Sequence, residues 1–421
     1  MNANAGGRSF FSRLPGRAFG ARHRTALTRG AISVGVVLLI LAIAAPTIIV
    51  PSLKELPADV HYDVSMQPAR GILIDSAAYR DRRPSTSHAS DPTCTGRTMP
   101  TRCYIETNVP LRATKKITTA SSSKKKAKLR VSSTLYAGTP QGTEAKNEVG
   151  SIHDHVTLNR HTMFPSKNAE SSVSIDFPGF GTTGDIHLST RPFVRDGYQF
   201  RFPFGSERRS YRFFDTVTGS ATPIDFVDAV QQRGKNVYTG GIDVYQYSQD
   251  LGPVNLYDSQ QRLMDNAGGI SEKQHTQLNT LRRTIPASSW GLNSDAPIHM
   301  DPYYVATRTI NVEPASGIIT NNSVKIWVFY AQNYNEAKNI VDNRDNELAS
   351  PTRTMLYFDS SWDEHSTESR LHTVHDVIKP LNIWSKAVPW ITGLTGMVLL
   401  LAGLYSSFDS RQPQRKRSLS S

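Results

Sequence analysis

Two clusters of histidines and acids are the residues whose types and spacing could bind a metal ion. Residues 153–155 (HDH) lie near His161, and residues 363–365 (DEH) lie near His372 and His375. In a strand, alternate side chains share a face, so both histidines of the first cluster could chelate one ion. Neither cluster has the spacing of a known zinc signature, and both lie among polar residues. We therefore expect solvent-exposed histidines, with no metal and no other cofactor.

Other motifs with a known chemistry are missing or incomplete in the sequence. Residues 177–181 (FPGFG) are rich in glycine, but no lysine and no strand–helix transition accompany them, as a phosphate-binding loop would require. No G-x-S-x-G nucleophile motif occurs. Acidic residues are plentiful, but their spacing selects no catalytic pair. The sequence therefore names no catalytic residue; it leaves enzymatic activity open and favours its absence.

Cys94 and Cys103 are the two cysteines of the chain. Their spacing does not match the C-x-x-C motif of a catalytic dithiol. On the oxidising side of a membrane, two such cysteines favour a disulfide. That disulfide would close a loop of about ten residues and stabilise it by roughly 2–3 kcal/mol.

Aromatic residues and arginines are concentrated in one stretch that could bind a ligand. The members of this stretch are Phe200, Arg201, Phe202, Phe204, Arg208, Arg209 and Tyr211. In a strand, the three phenylalanines would share one face and Arg201 would lie on the other. Two interpretations remain open. The rings fill a core beneath a solvated basic face, or they line a groove that stacks sugars or holds acyl chains beside arginines that contact phosphate.

The net charge of +12 over 421 residues is concentrated in three stretches. The first 30 residues carry +6, the residues from Asp409 onward carry +3, and the run from Lys115 to Arg130 carries +7. The remainder is −4, so we expect no nucleic-acid-binding core. The internal run lacks apolar periodicity, and we predict that residues 114–133 form a mobile basic loop that contacts solvent, anionic lipid heads or phosphate-bearing glycans.

Two uncharged stretches, residues 31–50 and 387–405, are long enough to cross a hydrocarbon core of roughly 30 Å as helices. The basic stretches at residues 1–30 and 406–421 flank them, and basic flanks stay cytoplasmic. We therefore expect two transmembrane helices in the cytoplasmic membrane, with both termini cytoplasmic and residues 51–386 on the outer side. A cleaved signal peptide is the alternative for the first stretch, because its small residues also fit a cleavage site.

Strand signals dominate between the two apolar stretches. Residues 307–312 and 318–331 are rich in β-branched and aromatic residues, and residues 237–247 read as two short strands around a glycine pair. Helix signals are fewer; residues 271–284 predict a surface helix that Ser271 could cap. We expect a mainly β (α+β) extracytoplasmic domain between two terminal transmembrane α-helices.

Four sequence blocks resemble an actinobacterial membrane-protein family described as PorA-like and formerly as a domain of unknown function. They are residues 51–57 (PSLKELP), 156–162 (VTLNRHT), 200–205 (FRFPFG) continuing to Pro223, and 312–317 (VEPASG). The resemblance implies a cell-envelope protein of mycolic-acid-containing Actinobacteria, with relatives linked to maturation of lipomannan and lipoarabinomannan. The resemblance identifies no catalytic residue in this chain. The name porin fits the sequence poorly, because transmembrane barrels need many alternating strands of about ten residues and this chain has two apolar helices.

These expectations combine into a membrane-anchored, non-catalytic accessory protein for lipoglycan or envelope-lipid assembly, which binds or conveys a lipid or lipid-linked glycan. Its expected partners are the cytoplasmic membrane, a lipid or lipoglycan ligand and a membrane glycosyltransferase, with no nucleic acid. Two alternatives stay open: a membrane-tethered carbohydrate-active enzyme, and a scaffold that regulates a polyprenyl-dependent mannosyltransferase. An apolar cavity would favour the lipid-binding version, and a solid core would exclude it.

Overall fold

The computed structural model describes residues 18–96, 98–138, 148–181 and 184–409. The chain divides into two compact units, one formed by the helices at both ends of the chain and the other by Lys54–Ile378. Parts of the predicted basic tails, residues 1–17 and 410–421, lie outside the described residues.

The α-helices at the two ends of the chain are longer than those within the second unit. In chain order, the helices are α1 (Ala18–Ala44), α2 (Val50–Leu53), α3 (Ser76–Asp81), α4 (Leu256–Asn266), α5 (Glu272–Asn279), α6 (Tyr334–Asp342), α7 (Arg344–Ala349), α8 (Glu364–Asn382) and α9 (Val388–Asp409). Two π-helical turns, Ala45–Ile49 and Ile383–Ala387, link α1 to α2 and α8 to α9. Pro46 lies in the first turn and Pro380 shortly before the second, and a proline nitrogen cannot donate the regular helical hydrogen bond.

In the first unit, α1 and α9 approach each other through glycines. A Cβ atom on Gly35 would lie 2.9 Å from the carbonyl oxygen of Gly396, and one on Gly396 would lie 2.8 Å from that of Gly35. Small residues that let two backbones come this close are typical of packing between membrane helices. Two helical stretches, Ala26–Leu53 and Glu364–Phe408, are long and apolar enough to cross a membrane.

The second unit is mainly β, as the sequence predicts. The strands of the described residues are β1 (His61–Ser65), β2 (Ala69–Ile74), β3 (Ile105–Ser122), β4 (Lys126–Ala137), β5 (Glu148–Asn159), β6 (Ser172–Gly181), β7 (Gly184–Ser189), β8 (Tyr211–Asp215), β9 (Ser220–Gln232), β10 (Ile242–Asn255), β11 (Arg283–Pro286), β12 (Pro297–Glu313), β13 (Ile318–Ala331) and β14 (Thr354–Ser361). They form one sheet in the order β7-β6-β5-β4-β3-β2-β14-β13-β12-β10-β9-β8, with β1 on β3 and β11 on β12. Every strand pairing in it is antiparallel.

The sheet curls into a half-barrel, and the connection between β7 and β8 links its two edges. Within this connection, Phe193 forms a β-bridge with Ser171, just before β6, and Tyr198 forms one with Phe213 of β8. The rings of Phe193 and Phe214 lie 6.2 Å apart in a hydrophobic cluster that includes side chains of β6. This connection helps to enclose the concave face of the sheet.

The structure corrects the prediction of a mobile loop at residues 114–133, which instead form most of the β3–β4 hairpin. Lys115 pairs with Ser133 in this hairpin. The basic residues alternate with buried apolar ones such as Ile117 and Leu129. The pattern therefore has the period of two residues that a half-buried strand requires, although it has no helical period.

Two other local predictions are confirmed and one is partly wrong. Residues 307–312 and 318–331 belong to β12 and β13, and Ser271 caps α5 by accepting a hydrogen bond from Gln274 N. Of the two strands predicted in residues 237–247, only the second is present, as part of β10. The first is missing because β9 already ends at Gln232, before residue 237.

Candidate functional site

The half-barrel holds a cavity of about 300 Å³ on its concave face. Its walls come from both halves of the sheet, including Ile117 of β3 and Ile175 of β6 on one side and Tyr304 of β12 and Phe358 of β14 on the other. Helix α4 contributes Leu256 to the lining. Because most of the lining is aliphatic or aromatic, the few charged groups at the cavity determine its electrostatics.

Strand alternation places Lys115 of β3 on the face of the strand that is directed toward the cavity. Leu111, Ala113, Lys115 and Ile117 lie on one face of the strand, and the last three line the cavity. Lys116 lies on the opposite face and is exposed. One lysine of the basic run therefore lies inside the half-barrel, while its neighbour in sequence faces solvent.

Arg308 and Asp215 form a buried ion pair in the cavity wall. Arg308 Nη2 lies 2.5 Å from Asp215 Oδ2, and Arg308 Nη1 donates to Gln249 Oε1 at 2.6 Å across the β10–β12 pairing. The Tyr304 hydroxyl donates to the same carboxylate oxygen at 3.3 Å. Burial, and then the negative charge of Asp215, raise the pKa of Tyr304 far above its usual range, so this hydroxyl stays protonated.

A second buried ion pair joins Asp154 of β5 to Arg195. Arg195 Nη2 and Nη1 donate to Asp154 Oδ1 and Oδ2 at 2.5 and 2.9 Å, as two parallel hydrogen bonds. The guanidinium carbon lies 4.1 Å from the ring centroid of Phe214. Both partners are nearly inaccessible to solvent, so each charge depends on the other for compensation.

Lys115 differs from these arginines because it has no partner. Within the described residues, no acceptor forms a hydrogen bond or ion pair with its ammonium group. Its side chain is half-buried and lines the cavity. Burial, and then the nearby positive charge of Arg308, lower the pKa of Lys115.

The seven aromatic and basic residues that the sequence groups together are not gathered in one groove. Phe200 lines the cavity, whereas Phe202 and Tyr211 lie in a core cluster with Tyr247. Phe202 is completely buried, and its ring lies 5.0 Å from that of Tyr247. The segment from Phe200 to Phe204 is not a strand, so the alternation expected of it does not occur.

The three arginines of that group have separate environments. Arg201 is buried and donates through Nε and Nη2 to the carbonyl oxygen of Ser316, at 3.1 and 2.9 Å, with Phe204 beneath its guanidinium group. Arg208 and Arg209 are exposed on a turn outside the cavity. The burial of Arg201, followed by repulsion from Arg370, lowers its pKa to about 10.

The four family-like blocks contact one another in pairs. Arg160 of the second block donates to the carbonyl oxygen of Leu56 in the first at 2.7 Å and forms an ion pair with Glu55 at 3.2 Å. In the third and fourth blocks, Phe202 N donates to Gly317 O at 2.9 Å. These blocks act in packing, because each contains the backbone or side-chain partner of another.

The two clusters of histidines and acids, for which the sequence predicts no metal, do not have the ligand spacing of an ion site within the described residues. His153 is exposed, whereas Asp154 points inward to Arg195. Within the described residues, one other grouping has the ligand spacing of a metal site: His88, Asp91 and Cys94. Cys94 is joined to Cys103 by a disulfide with an S–S distance of 2.02 Å, so it offers no thiolate.

The sequence reasoning did not identify Lys115, Arg308 and Asp215 as site residues. For Lys115 a signal was present, because a lysine at every-second-residue spacing between Ala113 and Ile117 occupies an inward position in a strand. Arg308 and Asp215 carried no comparable signal, since β8 and β12 are far apart in sequence.

Comparison with known proteins gives consistent matches over nearly the whole chain. A family model described as Porin PorA matches residues 29–405. A Porin PorA of Corynebacterium resistens is 31% identical over 411 residues, covering 91% of this chain and 97% of that protein. A Porin PorA of Corynebacterium amycolatum is 31% identical over 384 residues, covering 88% and 96%.

These matches correct the function expected from the sequence. The relatives are named as porins, which are channel-forming proteins, so the predicted accessory role in lipoglycan or envelope-lipid assembly is wrong. Three further predictions are wrong for the same reason. They are the lipid or lipoglycan ligand, the glycosyltransferase partner and the statement that the name porin does not fit.

Other parts of the expectation agree with the family. The resemblance to a PorA-like family is confirmed, and a family of channel proteins agrees with the absence of enzymatic activity that the sequence favours. A location in the cell envelope also fits a porin. Since one family model spans residues 29–405 and two relatives align over most of the chain, this protein belongs to the Porin PorA family.

Proposed function

We propose that this protein forms part of a passage for small solutes through the cell envelope, and that the cavity in the half-barrel is the compartment through which solutes move. The observation that supports this proposal is the cavity of about 300 Å³, which is large enough for a small organic molecule. Porin relatives over nearly the full length of the chain support the same function.

The proposed membrane arrangement uses the two apolar helical stretches as transmembrane anchors. Residues 31–50 and 387–405 would cross the cytoplasmic membrane, with both basic ends in the cytoplasm and the half-barrel on the outer side. The exposed apolar side chains of α9 support this arrangement, since Trp390 and Tyr405 are 71% and 77% exposed. Aromatic rings near the ends of a span favour the interface between lipid and water.

Labelling of introduced cysteines tests this topology in intact cells. Ser12→Cys and Ser420→Cys would be protected from a membrane-impermeant maleimide, whereas Ser350→Cys, in an exposed position of the half-barrel unit, would react. The native cysteines are paired and would not compete. Labelling of either terminal cysteine from outside would refute the cytoplasmic placement of that end.

Single-channel recording tests the passage itself. We expect the purified full-length protein to produce stepwise conductance in planar lipid bilayers. Ser133→Trp should lower the conductance, because Ser133 lines the cavity opposite Lys115 and an indole would fill part of it.

Ser132→Trp is the matched control, since Ser132 is the adjacent residue and points to the other face of β4. It should leave the conductance unchanged. A well-folded protein without channel events would refute the function, and equal conductance of both tryptophan variants would exclude the cavity as the route.

A further inference from the structure

Among the described residues on the inner surface of the half-barrel, one cation has a charge that no other described group balances. Asp215 pairs with Arg308, and Asp154 pairs with Arg195. Lys115 lies on the same concave surface and pairs with neither carboxylate. The described part of the cavity wall therefore carries one uncompensated positive charge.

An ammonium group in apolar surroundings is unfavourable unless something compensates it. Transfer of a charged group from water into a protein interior costs several kcal/mol or is avoided by loss of the proton. Lys115 lies between Ala113 and Ile117 on a strand whose inward face is otherwise uncharged, so nothing in its own strand offsets this cost. An anion in the cavity would supply the missing countercharge.

The walls of the cavity determine what kind of anion would fit. They consist mainly of apolar side chains, such as Ile175, Val324 and Phe358, which favour a ligand with an apolar body. Asp154 and Asp215 are each paired with an arginine, so among the described residues Lys115 is the one unpaired charge at the cavity, and a second negative charge on the ligand would find no countercharge. These features select one anionic group attached to an apolar body.

We propose that the cavity binds small organic monoanions, with the anionic group on the Lys115 ammonium and the apolar body against the cavity walls. This assigns a solute class to the proposed passage and rests on that function for its biological meaning. Binding itself requires only the cavity and its lysine.

Calorimetric titration of the full-length protein in lipid nanodiscs tests the proposal. The probes are 2-naphthoate and its neutral analogue 2-naphthamide, with empty nanodiscs to subtract partitioning into lipid. We expect naphthoate to bind at least about tenfold more tightly than the amide, as one charge-assisted hydrogen bond would give.

Three variants identify the group responsible for this preference. Lys115→Met should remove the preference and leave amide binding unchanged, whereas Lys115→Arg should retain it. Lys116→Met is the matched control, because it removes the adjacent lysine on the exposed face and should bind naphthoate like the unmodified protein.

Equal affinity for both probes, or naphthoate binding that persists in Lys115→Met, would overturn the proposal. The proposed function has a separate outcome, since binding is measured without any conductance. A protein that binds naphthoate but never conducts would refute the passage alone, and one that conducts without preferring naphthoate would refute only the anion site.

Discussion

Arg201 in the core and Lys115 at the cavity are two cations without a carboxylate partner, and they have opposite surroundings: Arg201 is buried, whereas Lys115 is half-buried. Arg201 donates two hydrogen bonds to the carbonyl oxygen of Ser316 and stacks on Phe204. Lys115 faces a cavity and donates to no group of the described residues. A buried cation that the backbone satisfies holds the fold together, whereas one left without an acceptor is available to a ligand.

The structure decides between the two interpretations left open for the aromatic stretch, and it reverses the prediction for the basic stretch. The aromatic stretch around Arg201 had the composition of a ligand groove, and it packs the third family block against the fourth. The basic stretch around Lys115 had the composition of a loop, and it forms a wall of the cavity. Three substitutions and two matched controls would test this difference.

The largest effect is expected at Gly317, whose carbonyl oxygen accepts a hydrogen bond from Phe202 N, next to Arg201. Its φ is +71°, and a Cβ atom there would lie 2.1 Å from Phe202 O. Gly317→Ala should lower the free energy of unfolding by about 3–5 kcal/mol, because it combines backbone strain with a clash against the backbone. Tryptophan fluorescence during urea unfolding measures this change.

Gly205→Ala is the matched control for Gly317→Ala. Gly205 has the same φ of +71° and no atom within 4 Å of the added Cβ. It should cost about 1 kcal/mol, from backbone strain alone. Similar losses for both variants would show that the contact between the two blocks contributes little.

Arg201→Met should destabilise the second unit by about 2 kcal/mol. The substitution leaves the buried carbonyl oxygen of Ser316 without two donors, although relief of the repulsion between Arg201 and Arg370 offsets part of the loss. The same urea titration measures it. An unchanged midpoint would mean that Arg201 is not structural.

Lys115→Met should have the opposite sign and raise the free energy of unfolding by about 1 kcal/mol. Methionine roughly keeps the length of the side chain and removes a half-buried charge that has no partner within the described residues. Lys116→Met, on the exposed face, should change the stability little. Destabilisation by Lys115→Met would indicate that the lysine has a partner within the protein.

The smallest effect is a pH dependence of that stabilisation. The pKa of Lys115 is lowered, so between its folded pKa and the unfolded value near 10.5 the unfolded chain binds more protons. The stability contributed at Lys115 therefore rises as the pH increases through this window. The difference in free energy of unfolding between Lys115→Met and the unmodified protein should therefore shrink as the pH is raised. The charges of Arg308, Asp154 and Asp215 influence the pKa of Lys115 and so the pH range of this change.

Urea titrations of the two proteins at increasing pH measure this trend. Anion binding should weaken over the same range, because neutral Lys115 no longer attracts the ligand. A constant difference between the two proteins at every pH would contradict the lowered pKa.

Local patterns were enough to predict several elements of the fold. The β-branched and aromatic residues of β12 and β13 predicted a strand pair, and Ser271 predicted the start of a helix. The basic hairpin was missed because its charges obscured the period of two residues. The ion pair between Arg308 and Asp215 was unpredictable, since it joins strands about ninety residues apart in sequence.

The sequence by itself determined the apolar helical stretches near both ends of the chain and the mainly β character between them, because these depend on composition and short-range periodicity. Four sequence blocks carried the resemblance to the PorA-like family. Only the tertiary structure decided that Lys115 faces a cavity and that Arg201 lies in the core. Alternation along a strand separates two faces but does not say which face will be enclosed. That choice comes from the pairing of distant strands, which curls the sheet around one face and leaves the other to solvent.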